Sequence, residues 1–142
     1  MNVRHGSSND INWLYGLFKT TLKEYIDATW GWDEVFQQEA FLANLPGENF
    51  SILESDGEPV AAYYLENRED HLWLELLLVV PEKQLEGHGQ FLLRVVQTQA
   101  MQANKPLRLN VLKVNPALDF YLKQGFEVVA EDEHRFKLDW LP

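Results

Sequence analysis

The run from Leu72 to Val80 constrains this chain more than any other segment, because it is apolar at every position but Glu75. A strand with one wet face alternates apolar and polar residues, so a run of this kind is covered on both sides and lies in the middle of a sheet. It leads through Gln84-Leu85-Glu86-Gly87-His88-Gly89 into Phe91 to Ala103, where apolar residues recur at helical spacing. Leu107-Arg108-Leu109-Asn110-Val111 then reads as a second strand. Strand, glycine turn, helix and strand form a βαβ unit, with parallel strands and, as a strong rule, a right-handed crossover.

The turn between strand and helix is where chemistry can enter. Glycine lets backbone amides approach a ligand closely, and the first turn of a helix leaves N–H groups unpaired beside the positive end of the helix dipole. Such a turn suits a phosphate or pyrophosphate. An ordinary strand-to-helix connection has the same composition, so Gly87 and Gly89 alone do not decide between the two readings.

The rest of the chain supplies the layers around this unit. Asn2 to His5 reads as a short edge strand, and Ser8, Asn9 or Asp10 can cap a helix with Ile11, Leu14, Tyr15, Phe18, Leu22, Tyr25 and Ile26 on one face. Thr29-Trp30-Gly31-Trp32 breaks that pattern. Asp33 can cap a second helix carrying Val35, Phe36, Ala40, Phe41 and Leu45, which Pro46-Gly47 ends. Phe50 to Glu54 and Val60 to Leu65 flank the turn composition Ser55-Asp56-Gly57-Glu58 and read as a hairpin. Pro116 to Gln124 is a further helix, and Phe126 to Ala130 with Arg135 to Trp140 form a last hairpin around Glu131-Asp132-Glu133-His134. The fold class is α/β, a mixed sheet with helices on both faces.

At 142 residues the chain fits one domain, 1–142, with 46% hydrophobic residues and no linker or repeat. The absence of cysteine excludes disulfides, thiolate zinc sites and a cysteine nucleophile. Twelve basic against 22 acidic residues give a net charge of −10, which opposes nucleic acid and anionic membranes as partners and attracts cations. Met1 to His5 lacks a signal-peptide pattern, and no apolar run reaches the roughly 18 residues of a membrane span, so the expectation is a cytoplasmic protein. A homodimer is compatible with these features.

Further along stand Asn115-Pro116-Ala117-Leu118-Asp119-Phe120-Tyr121 and then Gly125-Phe126. With Gln84-Leu85-Glu86-Gly87-His88-Gly89 after a strand, these residues resemble, in order and spacing, the GCN5-related N-acetyltransferase family. Its signature is Q/R-x-x-G-x-G/A, then N-x-x-A or N-x-A, then F-Y-x-x-x-G-F. The resemblance covers Leu72 to Trp140. It implies a sheet whose two parallel strands, here Leu76 to Val80 and Leu107 to Leu112, splay apart to hold acetyl-coenzyme A, with no metal. On that resemblance the backbone of Leu78, Val79 and Val80 bonds the pantetheine arm as a pseudo-strand. Gln84, Gly87 and Gly89 hold the pyrophosphate, helped by the amides of Leu85, His88 and Gln90. The side chain of His88 is expected to be exposed. Glu86 departs from the family, which commonly has a basic residue before the first glycine, and its charge opposes a nearby phosphate. Asn115 matches a residue near the cofactor arm, and can also cap the helix that follows. Tyr121 matches the tyrosine that protonates the leaving thiolate, its alternative role being aromatic packing.

Acetyl transfer to an amine needs the amine neutral, so a base or a water chain must take its proton. Glu75 is the candidate base, an acid in an otherwise apolar central strand, where such a group is paired or used. Strict alternation puts it on the face of Trp73, Leu77 and Val79; a structural ion pair is its other reading, and His71 is a weaker base. Trp30, Trp32, Asp33 and Glu34 join the first two helices, where this fold builds the acceptor pocket, and aromatic planes beside carboxylates suit a cationic amine. Tryptophans at a helix junction also serve as packing anchors. The expected activity is direct transfer of acetyl from acetyl-coenzyme A to a primary amine of a small molecule or peptide. The alternative is a non-catalytic acyl-coenzyme A sensor or interaction module on the same fold.

Overall fold

The computed structural model describes residues 1–142. Strands β1 (Asn2–His5), β2 (Phe50–Ser55), β3 (Glu58–Asn67), β4 (Leu72–Val79), β5 (Leu107–Leu112), β6 (Glu127–Glu131) and β7 (Arg135–Trp140) form one mixed sheet in the order β1-β2-β3-β4-β5-β7-β6. Helices α1 (Ile11–Trp30), α2 (Glu34–Asn44), α3 (His88–Ala103) and α4 (Ala117–Lys123) pack around it. No helix is long and apolar enough to cross a membrane.

Period-two alternation sorts the sheet's side chains into two cores. Leu53, Ala61, Tyr63, Leu72, Leu74, Leu107, Leu109 and Leu138 point to one face and bury Leu92, Leu93, Val96 and Ala100 of α3. Phe50, Ile52, Ala62, Tyr64 and Leu78 point to the other and bury Leu14, Leu17 and Phe18 of α1 with Phe41 of α2. Helical spacing therefore predicts the buried stripe of α1 in part, with Leu17 added between its expected members.

Local chemistry explains the element ends. Ser7, rather than the three residues after it, caps the short 3-10 turn Ser8–Asp10 that precedes α1: its Oγ accepts from Asn9 N at 3.2 Å, while the Asp10 carboxylate accepts from Ser7 N at 2.8 Å. Asp10 also pairs with Arg4 of β1 at 3.0 Å, tying the edge strand to the helix start. Asp33 caps α2 as expected, accepting from Phe36 N at 3.0 Å. Asp56 and Gly57 both have positive φ, the condition for the tight turn joining β2 to β3.

The central strand carries one inserted residue. Between β3 and β4 the register runs Tyr64 against Leu76 and then Leu65 against Leu74, so Glu75 is a β-bulge. This overturns strict alternation along β4. Leu77 and Val79 pack with Leu72 and Leu74 in the α3 core, whereas Leu76 and Leu78 pack in the α1 core. Glu75 leaves both cores, is exposed, and accepts a hydrogen bond from Trp73 Nε1.

Candidate active site

The parallel ladder between β4 and β5 contains only Leu72 opposite Leu107 and Trp73 opposite Arg108. Beyond that point β5 continues to pair with β7 up to Leu112 opposite Arg135, and β4 continues to pair with β3 up to Val79 opposite Ala61. The strands splay, as the resemblance implies, and the gap opens into a cleft of about 600 Å³. Leu77, Leu78 and Val79 line it from β4, Lys83 to Gly89 from the connecting loop, and Asn115, Ala117, Phe120 and Tyr121 from the α4 side. Thr21, Leu22 and Tyr25 of α1 make the remaining wall.

Backbone polarity shows which peptide groups face the gap. Val80 N–H donates to Val60 O at 2.9 Å, so Val80 is turned toward β3, and by alternation so is Leu78. Leu72 N–H donates the other way, to Pro106 O, and after the bulge the residues facing β5 are Leu77 and Val79. Expectation named Leu78, Val79 and Val80; the peptide groups that reach the cleft are those of Leu77 and Val79. The bulge, invisible in a run of leucines, causes the shift by one. The Val79 carbonyl accepts from Gln84 Nε2 at 3.2 Å, and Gln84 thereby braces the loop against the strand end.

The loop has the geometry of an anion nest. Leu85 and Gly87 both have positive φ, 67° and 87°, and Gly87 begins α3. The first intrahelical bond there is Phe91 N–H to Gly87 O at 2.9 Å, so the N–H groups of His88, Gly89 and Gln90 lack a protein acceptor. A Cβ on Gly89 would lie 3.5 Å from Val79 Cγ2 and 3.6 Å from Phe120 Cζ, so any larger side chain would grow into the cleft. These donors and this cradle fit the pyrophosphate and arm of coenzyme A. His88 is corrected: its side chain is buried, and Nδ1 sits 3.2 Å from Lys83 O, so it braces the turn from within instead of lying exposed. Lys83 is the one charged residue lining the cleft. It stands just before the Gln84 motif, outside the position where the family's basic residue was sought, and its cationic side chain faces the problem raised by Glu86.

Asn115 lines the cleft and also caps α4, its Oδ1 accepting from Ala117 N at 2.9 Å. Tyr121 packs edge-on against Phe120 and Phe126, with ring centroids 5.3 Å and 5.6 Å away. Its hydroxyl makes no hydrogen bond within the chain while the residue lines the cleft. Burial raises the hydroxyl's pKa well above the ordinary tyrosine value, so it stays protonated at neutral pH.

The acceptor segment is placed differently from expectation. None of Trp30, Trp32, Asp33 or Glu34 lines the cleft. Asp33 is the α2 cap. Glu34 accepts from Tyr15 Oη and Lys19 Nζ, and the Lys19 ammonium first, then the Tyr15 hydroxyl, holds its carboxyl below the usual range. Trp32 packs beside Phe18, 6.1 Å between centroids, with its Nε1 buried. Trp30 is half-exposed, its face taken by Arg135 at 4.7 Å and its edge set against His134 at 5.5 Å. Each carboxylate or ring expected to greet a cation already has a partner in the chain. Glu75 also lies off the cleft lining, on the bulge described above.

A curated relative is not found for this chain. Among solved structures it is similar to the PaiA N-acetyltransferase from Thermoplasma acidophilum in complex with coenzyme A, at 18% identity over 99% of this chain and 98% of that one, with a TM-score of 0.78. PH1933 from Pyrococcus horikoshii OT3 is similar at 14% identity, 99% and 98% coverage and a TM-score of 0.79. The ribosomal-protein-S18-alanine N-acetyltransferase from Escherichia coli follows at 18% identity, 99% and 92% coverage and 0.75. At these identities the likeness is one of fold. The family model for the acetyltransferase (GNAT) domain matches residues 19–142. With that match spanning nearly the whole chain, including the split between β4 and β5 and the loop at Gly87, the protein belongs to the GNAT acetyltransferase family.

Proposed function

We propose that the protein transfers an acetyl group from acetyl-coenzyme A to a primary amine by direct attack. The observation that carries this reading is the end of β4–β5 pairing at Trp73 and Arg108, which leaves the peptide groups of Leu77 and Val79 facing the gap beside the open N–H groups of α3. A slim, amide-bearing arm with a pyrophosphate at one end matches both donor sets.

In this reading Leu77 and Val79 bond the pantetheine arm, and the amides of His88, Gly89 and Gln90 with Lys83 hold the pyrophosphate. Asn115 lies beside the arm. Bound acetyl-coenzyme A supplies a thioester, which an amine can attack once it is neutral. Tyr121 keeps its proton in the desolvated wall of the cleft and hands it to the departing thiolate. Glu75 is the acid carried by β4 itself, held by Trp73 Nε1 on the face away from α3, and takes the amine's proton through water. The acceptor is a primary amine of a small molecule or a peptide. With Trp30, Trp32, Asp33 and Glu34 engaged inside the chain, those residues no longer supply a reason to expect a cation.

Calorimetry with coenzyme A, followed by free-thiol release from acetyl-coenzyme A across a panel of amines, tests the proposal. Binding with amine-dependent thiol release supports it. Binding with no release for any amine points to a sensor, and no binding removes the reading altogether.

A further inference from the structure

The cleft divides the sheet into two lips that touch fully only at its closed end. One lip is β1 to β4 with α1 packed on it through Leu14, Leu17 and Phe18; the other is β5, β7 and β6. Past Trp73 and Arg108 no strand pairing joins them. On the α3 face the lips are tied by Gly89 against Phe120 and by Gln97 Nε2 donating to Gln124 O at 3.1 Å. On the α1 face a tie comes from Trp30. This last residue of α1 lies with its indole under the Arg135 guanidinium, 4.7 Å from the ring centroid, and edge-on to His134 at 5.5 Å. Both partners sit at the start of β7, and His134 O accepts from Lys113 N at 2.9 Å at the open end of β5. The same helix carries Thr21, Leu22 and Tyr25 in the cleft wall.

We infer that Trp30 is a specificity-determining residue: its clasp with Arg135 and His134 sets the width of the mouth on the α1 face and so favours slim, unbranched primary amines over bulky ones. This rests on the transferase reading above, since it concerns where the acceptor enters. Exposed cation–π and edge-to-face contacts are individually weak, so the clasp narrows the mouth without locking it. Trp30 acts at a distance from the reacting atoms, as a positioning residue for the α1 wall. The carboxylates of the same turn are already engaged, Asp132 by the amides of His134 and Arg135 and Glu131 by Lys113 at 3.7 Å, which leaves the indole as the bridge between lips.

The test compares wild type, Trp30→Ala and Trp30→Phe by two independent measurements. Amide hydrogen exchange reads the clasp itself: Trp30→Ala speeds exchange at Lys113 and across His134 to Phe136, and Trp30→Phe restores protection. Unchanged exchange in the alanine variant overturns the inference whatever the chemistry. Thiol-release assays then compare kcat/KM for a linear alkylamine with that for benzylamine and an α-branched amine. Trp30→Ala shifts the ratio toward the bulky acceptors by roughly tenfold, the scale on which apolar walls discriminate by size. An equal loss for all acceptors means a merely structural role and overturns it. Coenzyme A affinity, read by calorimetry, stays as in wild type and confirms a folded variant. If no amine yields thiol even with wild type, the transferase reading fails, and the exchange result alone then decides whether the clasp exists.

Discussion

Gly89 at the start of α3 faces Phe120 of α4 so closely that a β-carbon on the glycine would lie 3.6 Å from Phe120 Cζ. That distance is ordinary contact, and Gly89 has no positive φ, so Gly89→Ala leaves the fold intact. Gly89→Leu places a branched chain between Val79 and Phe120 and closes the cleft to coenzyme A. Gly87 is the reverse case: open space surrounds it, but its φ of 87° disfavours any β-carbon. Gly87→Ala costs about 1 kcal/mol of stability and disturbs the amide nest. Calorimetry and thermal melts on the three variants separate filling from strain; coenzyme A binding by a folded Gly89→Leu variant as tight as wild type would remove the cleft as the cofactor site.

Lys83 and Glu86 bracket the motif with opposite charges. Lys83→Gln weakens coenzyme A binding and Glu86→Lys strengthens it, each by about 1 kcal/mol or less because exposed charges are screened. Both effects shrink as salt is raised. Affinities that do not respond to either substitution at low ionic strength would take these charges out of the phosphate site.

Tyr121→Phe removes one hydroxyl that bonds nothing in the chain and leaves the packing against Phe120 and Phe126. Turnover falls by roughly 10²–10⁴-fold, the range for losing a general acid, while coenzyme A affinity holds. Glu75→Gln lowers kcat in the same assay with KM for acetyl-coenzyme A unchanged. Full turnover in the phenylalanine variant would return Tyr121 to packing alone.

Stability has an acid and an alkaline limb with different owners. Hydrogen bonds to Arg4 hold the Asp10 carboxyl below its usual range, and bonds from the His134 and Arg135 amides do the same for Asp132. A depressed carboxyl contributes stability that is present above its unfolded value, about pH 4, and is lost as pH falls through the folded one. Tyr15 is the opposite case. Desolvation first, and then Glu34, push its hydroxyl up to about 12, so its contribution is intact below the unfolded value and is lost as pH rises toward 12. Asp10→Asn costs about 1 kcal/mol at neutral pH through the capping box and flattens the acid limb, and Tyr15→Phe flattens the alkaline one. Scanning calorimetry across pH checks both; an acid limb of unchanged steepness in Asp10→Asn would reassign it.

Much of this architecture was legible in the residues because it rests on local patterns. The leucine run located the central strand, Asp56-Gly57 located a hairpin, and Asp33 announced a helix start three residues before Phe36 accepted its cap. The cleft was legible only as far as its motif. An inserted residue changes no letter in a run such as Leu74-Glu75-Leu76-Leu77, yet it decides which peptide groups turn to the gap. Burial of His88 and engagement of Glu34 by Lys19 and Tyr15 depend on partners five and more residues away, which helical or strand periodicity does not report. Lys83 was in plain view beside Gln84, and a search for any cation flanking the loop would have found it.

The bulge at Glu75 also bears on how such a chain can drift. Leu77 and Val79 offer the cleft their peptide groups, which every residue but proline possesses, and their side chains are needed only as filling for the α3 core. Exchange among leucine, valine and isoleucine there leaves the donors and acceptors where they are, whereas deleting a single residue of β4 would turn them toward β3. In this strand residue count is heritable information and residue identity is largely free.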